Sequence, residues 1–278
     1  MIAFDFEYYK PTTIQDAVTL YNDVRASGKI PHYYGGGTEF ISRARLNEIH
    51  ADVVIDLKGI PECNEFQANE DQFIIGSAVT LTSIADSTFF PLLTDVSRAI
   101  AHRTARNKIT IGGNLSSHLI YREALLPFLL VDSKVVIAKK GGIETVSIHT
   151  IYQNGMQLND GEFLIQIITN TKLTNYPYWN CKKTKHSKVN YPIISLASLE
   201  VDGNLRVAFS GVCDFPFRIE QLETVLNDTT KSVQTRIQQM LDHFPSATLD
   251  DMYASREYRE FVLTQELTKL LQNKKGAS

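Results

Sequence analysis

Cysteine is scarce in this chain of 278 residues, which contains only three. Cys63, Cys181 and Cys213 lie far apart, and no pair has the C-x-x-C spacing that zinc sites and thiol redox sites commonly use. Three thiolates are also too few for an iron–sulfur cluster, which is held by four cysteines. We therefore expect no metal site on this chain, and any cluster that works with it must belong to another chain.

Long apolar runs and an excess of one charge are also missing. The longest wholly apolar stretch, residues 124–131, is far shorter than the roughly 18 residues that cross a bilayer. Lys and Arg total 28 against 31 Asp and Glu, a net charge of -3, which argues against a nucleic-acid binder or a membrane-surface binder. The first residues lack the basic and apolar regions of a signal peptide, so we expect a cytoplasmic protein.

Several well-known site motifs are absent as well. A dinucleotide-binding G-x-G-x-x-G starting at Gly35 would need glycine where Phe40 stands, and Gly28-Lys29 lacks the flanking residues of a Walker A motif. Neither G-x-S-x-G nor H-E-x-x-H occurs. These absences exclude a P-loop enzyme, a standard dehydrogenase, a serine hydrolase and a zincin by motif.

The apolar spacing predicts mixed helices and strands, an α+β fold with a boundary near Asn170. Asp202-Gly-Asn predicts a hairpin turn between two strands of a C-terminal meander. The other main expectations are a helix after Thr12 or Thr13, a strand at 31–34, a helix at 38–46, a single helix at 91–105, a loop at 107–117, a basic linker at 170–188, and helices at 230–244 and 255–272.

Two glycine-rich loops are the most informative features. They read Tyr34-Gly-Gly-Gly-Thr-Glu-Phe40 and Thr110-Ile-Gly-Gly-Asn-Leu115. Glycine lets backbone N–H groups approach an anion closely, and a helix N-terminus adds partial positive charge. Thr38, Thr110 and Asn114 could bind phosphate or sugar oxygens. Each loop taken alone could also be a simple turn, but together the two loops favour a pyrophosphate site.

Four segments together carry a family resemblance: Tyr34-Gly-Gly-Gly-Thr-Glu39, Val54-Ile-Asp-Leu57, Ile75-Gly-Ser-Ala-Val-Thr80 and Arg106-Asn-Lys-Ile-Thr-Ile-Gly-Gly-Asn114. In order and spacing, residues 5–220 resemble the FAD-binding subunit of molybdenum hydroxylases. That family includes xanthine dehydrogenase and the medium subunit of carbon monoxide dehydrogenase. The resemblance implies a two-subdomain FAD-binding fold of the vanillyl-alcohol-oxidase type over 1–170, divided near 55. It also implies a smaller α+β domain over 171–278.

The resemblance also implies which residues bind FAD. The two glycine loops would embrace the pyrophosphate, and Ile100 and Leu164 would touch the isoalloxazine ring. Lys182 or its neighbour Lys183 matches a basic residue near the flavin, and Glu123 stands where the family commonly has aspartate. The predicted set is Tyr34, Gly35, Gly36, Gly37, Thr38, Glu39, Phe40, Ile100, Thr110, Ile111, Gly112, Gly113, Asn114, Glu123, Leu164 and Lys182, with no catalytic acid or base.

The resemblance implies an electron-transfer function. Electrons would pass from [2Fe–2S] clusters on a small partner subunit through FAD to NAD+ or another acceptor. The molybdenum cofactor would lie on a large partner subunit that oxidises a purine such as xanthine, in a paired heterotrimer. Two other hypotheses stay open: a stand-alone FAD-dependent oxidoreductase with its own substrate, and a scaffold without flavin. The intact Thr38, Thr110 and glycine pairs argue against the scaffold.

Overall fold

The computed structural model describes residues 2–186 and 190–276. The strands in these ranges are β1 Glu7–Tyr9, β2 Pro31–Tyr34, β3 Val53–Asp56, β4 Phe66–Ala68, β5 Gln72–Gly76, β6 Lys134–Lys139, β7 Gly142–Ser147, β8 Phe163–Asn170, β9 Tyr178–Thr184, β10 Pro192–Val201 and β11 Asn204–Ser210. The helices are α1 Ile14–Ala26, α2 Thr38–Arg45, α3 Leu81–Ala85, α4 Pro91–Arg98, α5 Arg103–Arg106, α6 Ile111–Leu115, α7 Leu125–Leu130, α8 Ile148–Ile151, α9 Glu220–Asn227, α10 Val233–Leu241 and α11 Arg256–Gly276. Three short 3-10 turns, Leu57–Gly59, Pro61–Asn64 and Thr171–Asn175, complete the set. The α+β expectation is confirmed.

The chain folds into two compact units, and each unit is built from three separate stretches of the sequence. Unit 1 contains the chain up to Phe89 together with His102–His118 and Asp132–Lys172. Unit 2 contains Phe90–Ala101, Leu119–Val131 and the chain from Leu173 onward. The predicted subdomain and domain boundaries at about residues 55 and 170 stay a prediction.

Unit 1 is built on two sheets. One is parallel, with strand order β1-β3-β2, and the other is antiparallel, with order β4-β5-β8-β6-β7. Val53 and Ile55 from the parallel sheet share a buried core with Val18 of α1 and with Phe163 and Ile165 of β8. Thr13, one of the two caps that the sequence predicts, accepts a hydrogen bond from the backbone N–H of Asp16 at 3.1 Å at the start of α1.

Unit 2 is built on the antiparallel sheet β11-β10-β9, which packs against α9, α10 and α11 around an apolar core. The predicted hairpin turn is confirmed, because Asp202 and Gly203 both have positive φ between β10 and β11. The predicted linker at 170–188 is wrong for residues 178–184, which form β9 and pair with β10. Lys188, in the predicted linker, lies outside the described residues.

Two other predictions from the sequence are wrong. The single helix at 91–105 is in fact α4 and α5, separated by a break in which Ala101 has φ 49°. That left-handed residue cannot continue a right-handed helix. The loop at 107–117 contains the short helix α6, which Thr110 caps. No helix in the described part of the chain is long and apolar enough to cross a membrane.

Candidate functional site

A cleft of about 150 Å³ in unit 1 is lined by both glycine loops. Five residues of the predicted set meet there: Gly35, Thr110, Gly112, Gly113 and Leu164. The other lining residues are not in the set predicted from the sequence; they are Tyr33, Leu57, Ser77, Ala78, Ser116, Leu158, Glu162 and Phe163. The cleft therefore combines a glycine-rich wall with apolar side chains.

The first glycine loop connects β2 to α2. Gly37 has φ 75°, a left-handed conformation that favours glycine, and as the N-cap residue of α2 it has no side chain with which to cap the helix. Among the described residues, no acceptor binds the backbone N–H groups of residues 38–40, the first turn of this helix. These free donors and the helix dipole make the start of α2 a place where an anion would be stabilised.

The two loops touch each other through glycine. A Cβ atom built on Gly36 would lie 1.6 Å from the carbonyl oxygen of Lys108, and one built on Gly35 would lie 2.8 Å from Thr110 Oγ1. Only glycine permits the first of these approaches, because the obstructing atom belongs to the backbone. The loop sequence is thus required by packing as well as by conformation.

In the second glycine loop, the backbone N–H groups already donate to acceptors of the protein. The N–H of Ile111 donates to Val79 O at 2.8 Å, and the N–H of Gly112 donates to Ser77 O at 2.9 Å. The N–H of Gly113 donates to Thr110 Oγ1 at 3.2 Å, the capping bond of α6. The sequence suggested that both loops offer N–H groups to an anion, but the free donors lie on the first loop.

Asn114 offers a different kind of partner at the second loop. Its Oδ1 atom is buried and accepts no hydrogen bond from the described residues. A buried acceptor without a donor is costly, so this atom is suited to a ligand hydroxyl or N–H group. Ile111, which was also predicted to bind the cofactor, is fully buried at the base of α6.

The remaining residues of the first loop have protein partners. The carboxylate of Glu39 accepts a hydrogen bond from the N–H of His118 at 3.2 Å and lies 3.8 Å from Arg43. Phe40 is buried in a small core and stacks on His32 with 4.7 Å between ring centroids. The Tyr34 ring contacts Phe40 edge-on at 6.1 Å. The side chains of these predicted site residues therefore support the loop, and their backbones form it.

Tyr33 is the clearest residue that the sequence analysis missed. Its hydroxyl donates to Gly161 O at 3.1 Å, and its ring lies between Tyr21 and Phe163 at centroid distances of 4.6 and 4.8 Å. Burial raises the pKa of Tyr33, so the phenol stays protonated. Its position immediately before the first loop was the signal available in the sequence.

Two further predicted residues form an ion pair in unit 2, and a third follows one of its partners in the sequence. The Lys182 Nζ atom of β9 lies 2.9 Å from Glu123 Oε1, and both side chains are largely buried. The same ammonium donates to the carbonyl of Ala99 at 3.0 Å, next to Ile100. A buried ion pair of this kind is held only when further hydrogen bonds satisfy it, as this carbonyl does. Lys183, the alternative, instead lies 3.3 Å from Glu266.

Residues 4–169 match the family described as the FAD binding domain in molybdopterin dehydrogenase, and the chain belongs to this family. It is an FAD-binding subunit of the molybdenum hydroxylase type, an oxidoreductase flavoprotein, as the resemblance implied.

Relatives agree with this assignment. The chain is 29% identical over 145 residues to the nicotinate dehydrogenase FAD-subunit of Eubacterium barkeri, a match that spans 50% of this chain and 47% of that protein. It is 24% identical to the nicotine 6-hydroxylase medium subunit of Paenarthrobacter nicotinovorans over 94% of each chain. A chain of quinoline 2-oxidoreductase from Pseudomonas putida 86 superposes with a TM-score of 0.86 at 18% identity, over 100% of this chain and 99% of that one. This last likeness shows the fold.

Proposed function

We propose that the chain is the electron-transfer flavoprotein subunit of a three-subunit molybdenum hydroxylase resembling xanthine dehydrogenase. It receives electrons from [2Fe–2S] clusters on a small partner subunit and passes them through FAD to NAD+ or another acceptor. A large partner subunit holds molybdenum and oxidises a purine such as xanthine. The family match supports FAD, and relatives named as FAD-subunit or medium subunit support the place in a complex.

The observation that carries the proposal is the cleft shared by both glycine loops. In this proposal, the N–H groups of residues 38–40 bind pyrophosphate oxygens, and the hydroxyls of Thr38 and Thr110 are additional partners. The buried Oδ1 of Asn114 accepts from the cofactor, which would supply the donor it lacks. Leu164 lines the same cleft as an apolar contact for the ring. These residues fit a dinucleotide that has a charged centre and an apolar end.

When bound, FAD would supply the redox chemistry. The protein binds the cofactor, orients it and fixes the charges around it. Glu123 and the Ala99 carbonyl hold the Lys182 ammonium in place, and we propose that this ammonium and Ile100, the residue after Ala99, belong to the flavin environment. Electron transfer needs no general acid or base on this chain.

An absorption spectrum of the purified full chain, with and without added FAD, tests the cofactor assignment. We expect the visible flavin bands to persist after desalting, and Gly36→Ala should remove them because its Cβ would collide with the Lys108 carbonyl. Gly203→Ala is the control for backbone strain alone: its φ of 77° makes the substitution strained, but it lies in a hairpin turn in unit 2 with nothing within 4 Å of its Cβ, so it should lower stability and keep the flavin. A wild-type chain that never takes up FAD contradicts the assignment.

Two measurements test the finer parts of the proposal. A tagged chain recovered from its own host should bring molybdenum and iron with it, and recovery free of both metals contradicts the proposed complex. In that complex, Lys182→Met should slow flavin reduction more than it lowers flavin content, whereas Lys182→Arg should keep most of the rate. Unchanged reduction kinetics in Lys182→Met would remove this residue from the flavin environment.

A further inference from the structure

A group of polar side chains lies behind the first glycine loop, at the carboxyl ends of the three parallel strands of unit 1. β1 supplies Tyr8, β3 ends at Asp56, and β2 leads into Gly35. Lys58, in the turn after β3, connects them: its Nζ donates to Asp56 Oδ1 at 2.7 Å and to the carbonyl of Gly35 at 2.6 Å. The loop is therefore held by an ammonium group from the adjacent strand end.

Asp56 holds that ammonium in position. Its side chain is 3% exposed and also accepts hydrogen bonds from the Tyr8 hydroxyl and from the backbone N–H of Lys58 at 2.9 Å. Burial opposes ionisation of this carboxyl, but the hydrogen bonds from Lys58 and Tyr8 outweigh burial and keep its pKa below the ordinary value. The carboxylate is thus charged, fixed at both oxygens and paired with Lys58.

The bond to the Gly35 carbonyl fixes a whole peptide group. In a trans peptide the C=O of Gly35 and the N–H of Gly36 point in opposite directions, so anchoring the oxygen also orients the N–H. Two successive glycines have little intrinsic preference for one orientation, because neither has a Cβ. The Lys58 ammonium also lies 4.5 Å from the centroid of the Tyr34 ring, which holds the preceding residue.

We propose that Lys58 is a positioning residue for the phosphate-binding loop. Its ammonium, held by Asp56 and Tyr8, sets the Gly35–Gly36 peptide so that the loop and the start of α2 are arranged before the cofactor pyrophosphate arrives. Preorganisation of this kind raises affinity by removing the cost of ordering the loop on binding. The inference rests on the proposed FAD function. Because Lys58 is paired with Asp56, it acts through geometry rather than through net charge.

Isothermal titration of the full chain with FAD, and separately with ADP as the pyrophosphate probe, tests this role. A hydrogen bond from a charged donor contributes enough free energy that Lys58→Met should raise the dissociation constants of FAD and ADP by about tenfold or more. Lys58→Arg retains a cationic donor and should recover most of the affinity. Tyr8→Phe removes one hydrogen bond to Asp56 and leaves the loop sequence intact. It should raise both dissociation constants by a smaller factor, about threefold.

The outcomes separate this inference from the proposed function. If the wild-type chain binds FAD and Lys58→Met binds FAD and ADP with unchanged dissociation constants, the inference is overturned and the function stands. If the wild-type chain binds no FAD, both are overturned. Should Lys58→Met fail to fold, the arginine and Tyr8→Phe variants decide. The positioning role is overturned if Tyr8→Phe binds FAD and ADP as tightly as the wild-type chain and Lys58→Arg does not recover the affinity for either ligand.

Discussion

In the first glycine loop, at residues 35–37, the chain leaves the N–H groups at the start of α2 without acceptors among the described residues. In the second loop, at residues 110–114, Ser77, Val79 and Thr110 already accept the corresponding N–H groups. The first loop also depends on its neighbours for its shape, since Lys58 holds its carbonyl. The second loop is capped by its own Thr110.

Two similar glycine patterns thus serve two physical purposes. In the first loop, glycine gives a left-handed turn and leaves donors free for a ligand, which is the usual basis of anion binding at a helix N-terminus. In the second loop, Gly112 lets the backbone lie against Ser77, where a Cβ atom would be 2.6 Å from the serine Cβ. A glycine pair therefore predicts that another part of the chain or a ligand lies close to its backbone. Whether its N–H groups are free to bind a ligand depends on the acceptors that surround them.

The largest effect is expected from Gly36→Ala. Its Cβ would lie 1.6 Å from a backbone oxygen that cannot rotate away, so the two loops must separate. We expect the loss of FAD binding and a decrease of about 3 kcal/mol or more in the free energy of unfolding. Flavin content and urea unfolding measure the two effects. Gly35→Ala is the matched control and should be milder, because its obstacle is a single hydroxyl; equal losses in both variants would contradict this account.

Two variants of the second loop separate the packing role of its glycines from a ligand contact. Gly112→Ala should lower the free energy of unfolding by about 2 kcal/mol, because its Cβ meets the backbone of Ser77. At Gly113, an added Cβ meets only the Thr110 hydroxyl, at 3.0 Å, so Gly113→Val should leave the fold largely intact and instead reduce flavin content. Full flavin content in Gly113→Val would show that this wall of the cleft does not face FAD.

Stability near the first loop should depend on pH through His32. Burial lowers the pKa of His32 from 6.5 to about 4, so the folded chain keeps this ring neutral where the unfolded chain takes up a proton. Stability is then complete above about pH 6.5 and decreases as the pH falls towards 4, by about 2 kcal/mol between pH 7 and pH 5. Urea unfolding across this range measures it. His32→Leu should make the free energy of unfolding less dependent on pH in this range. An unchanged pH dependence would mean that other groups cause it.

The smallest effect concerns the cap of the second loop. Thr110→Ala removes the acceptor for the Gly113 N–H and should lower the free energy of unfolding by about 1 kcal/mol. Thr110→Ser keeps the oxygen and should stay close to wild type in thermal unfolding. If Thr110→Ala were as stable as Thr110→Ser, the hydroxyl would have no structural role at this helix start and a ligand contact would be its remaining function.

The strand–glycine–helix arrangement of the first loop could be predicted from the sequence because its signals are local. The tyrosines at 33 and 34 indicate β2, and the glycines mark the point where α2 begins. β9 could not be predicted, because its polar and basic composition suggests a linker. It is a strand because β10 pairs with it along its whole length, apart from one irregularity between Pro192 and Ile194.

Local chemistry in the chain determined the α+β class, the positions of the glycine turns and the membership of a flavoprotein family. Tertiary structure decided which glycine N–H groups stay free, since the acceptors at Ser77 and Val79 come from another part of the chain. It also decided that Lys182 meets Glu123 and that Lys58 reaches Gly35. Turn conformation depends on adjacent residues, whereas hydrogen-bond partners depend on which segments the fold brings within about 3 Å of one another.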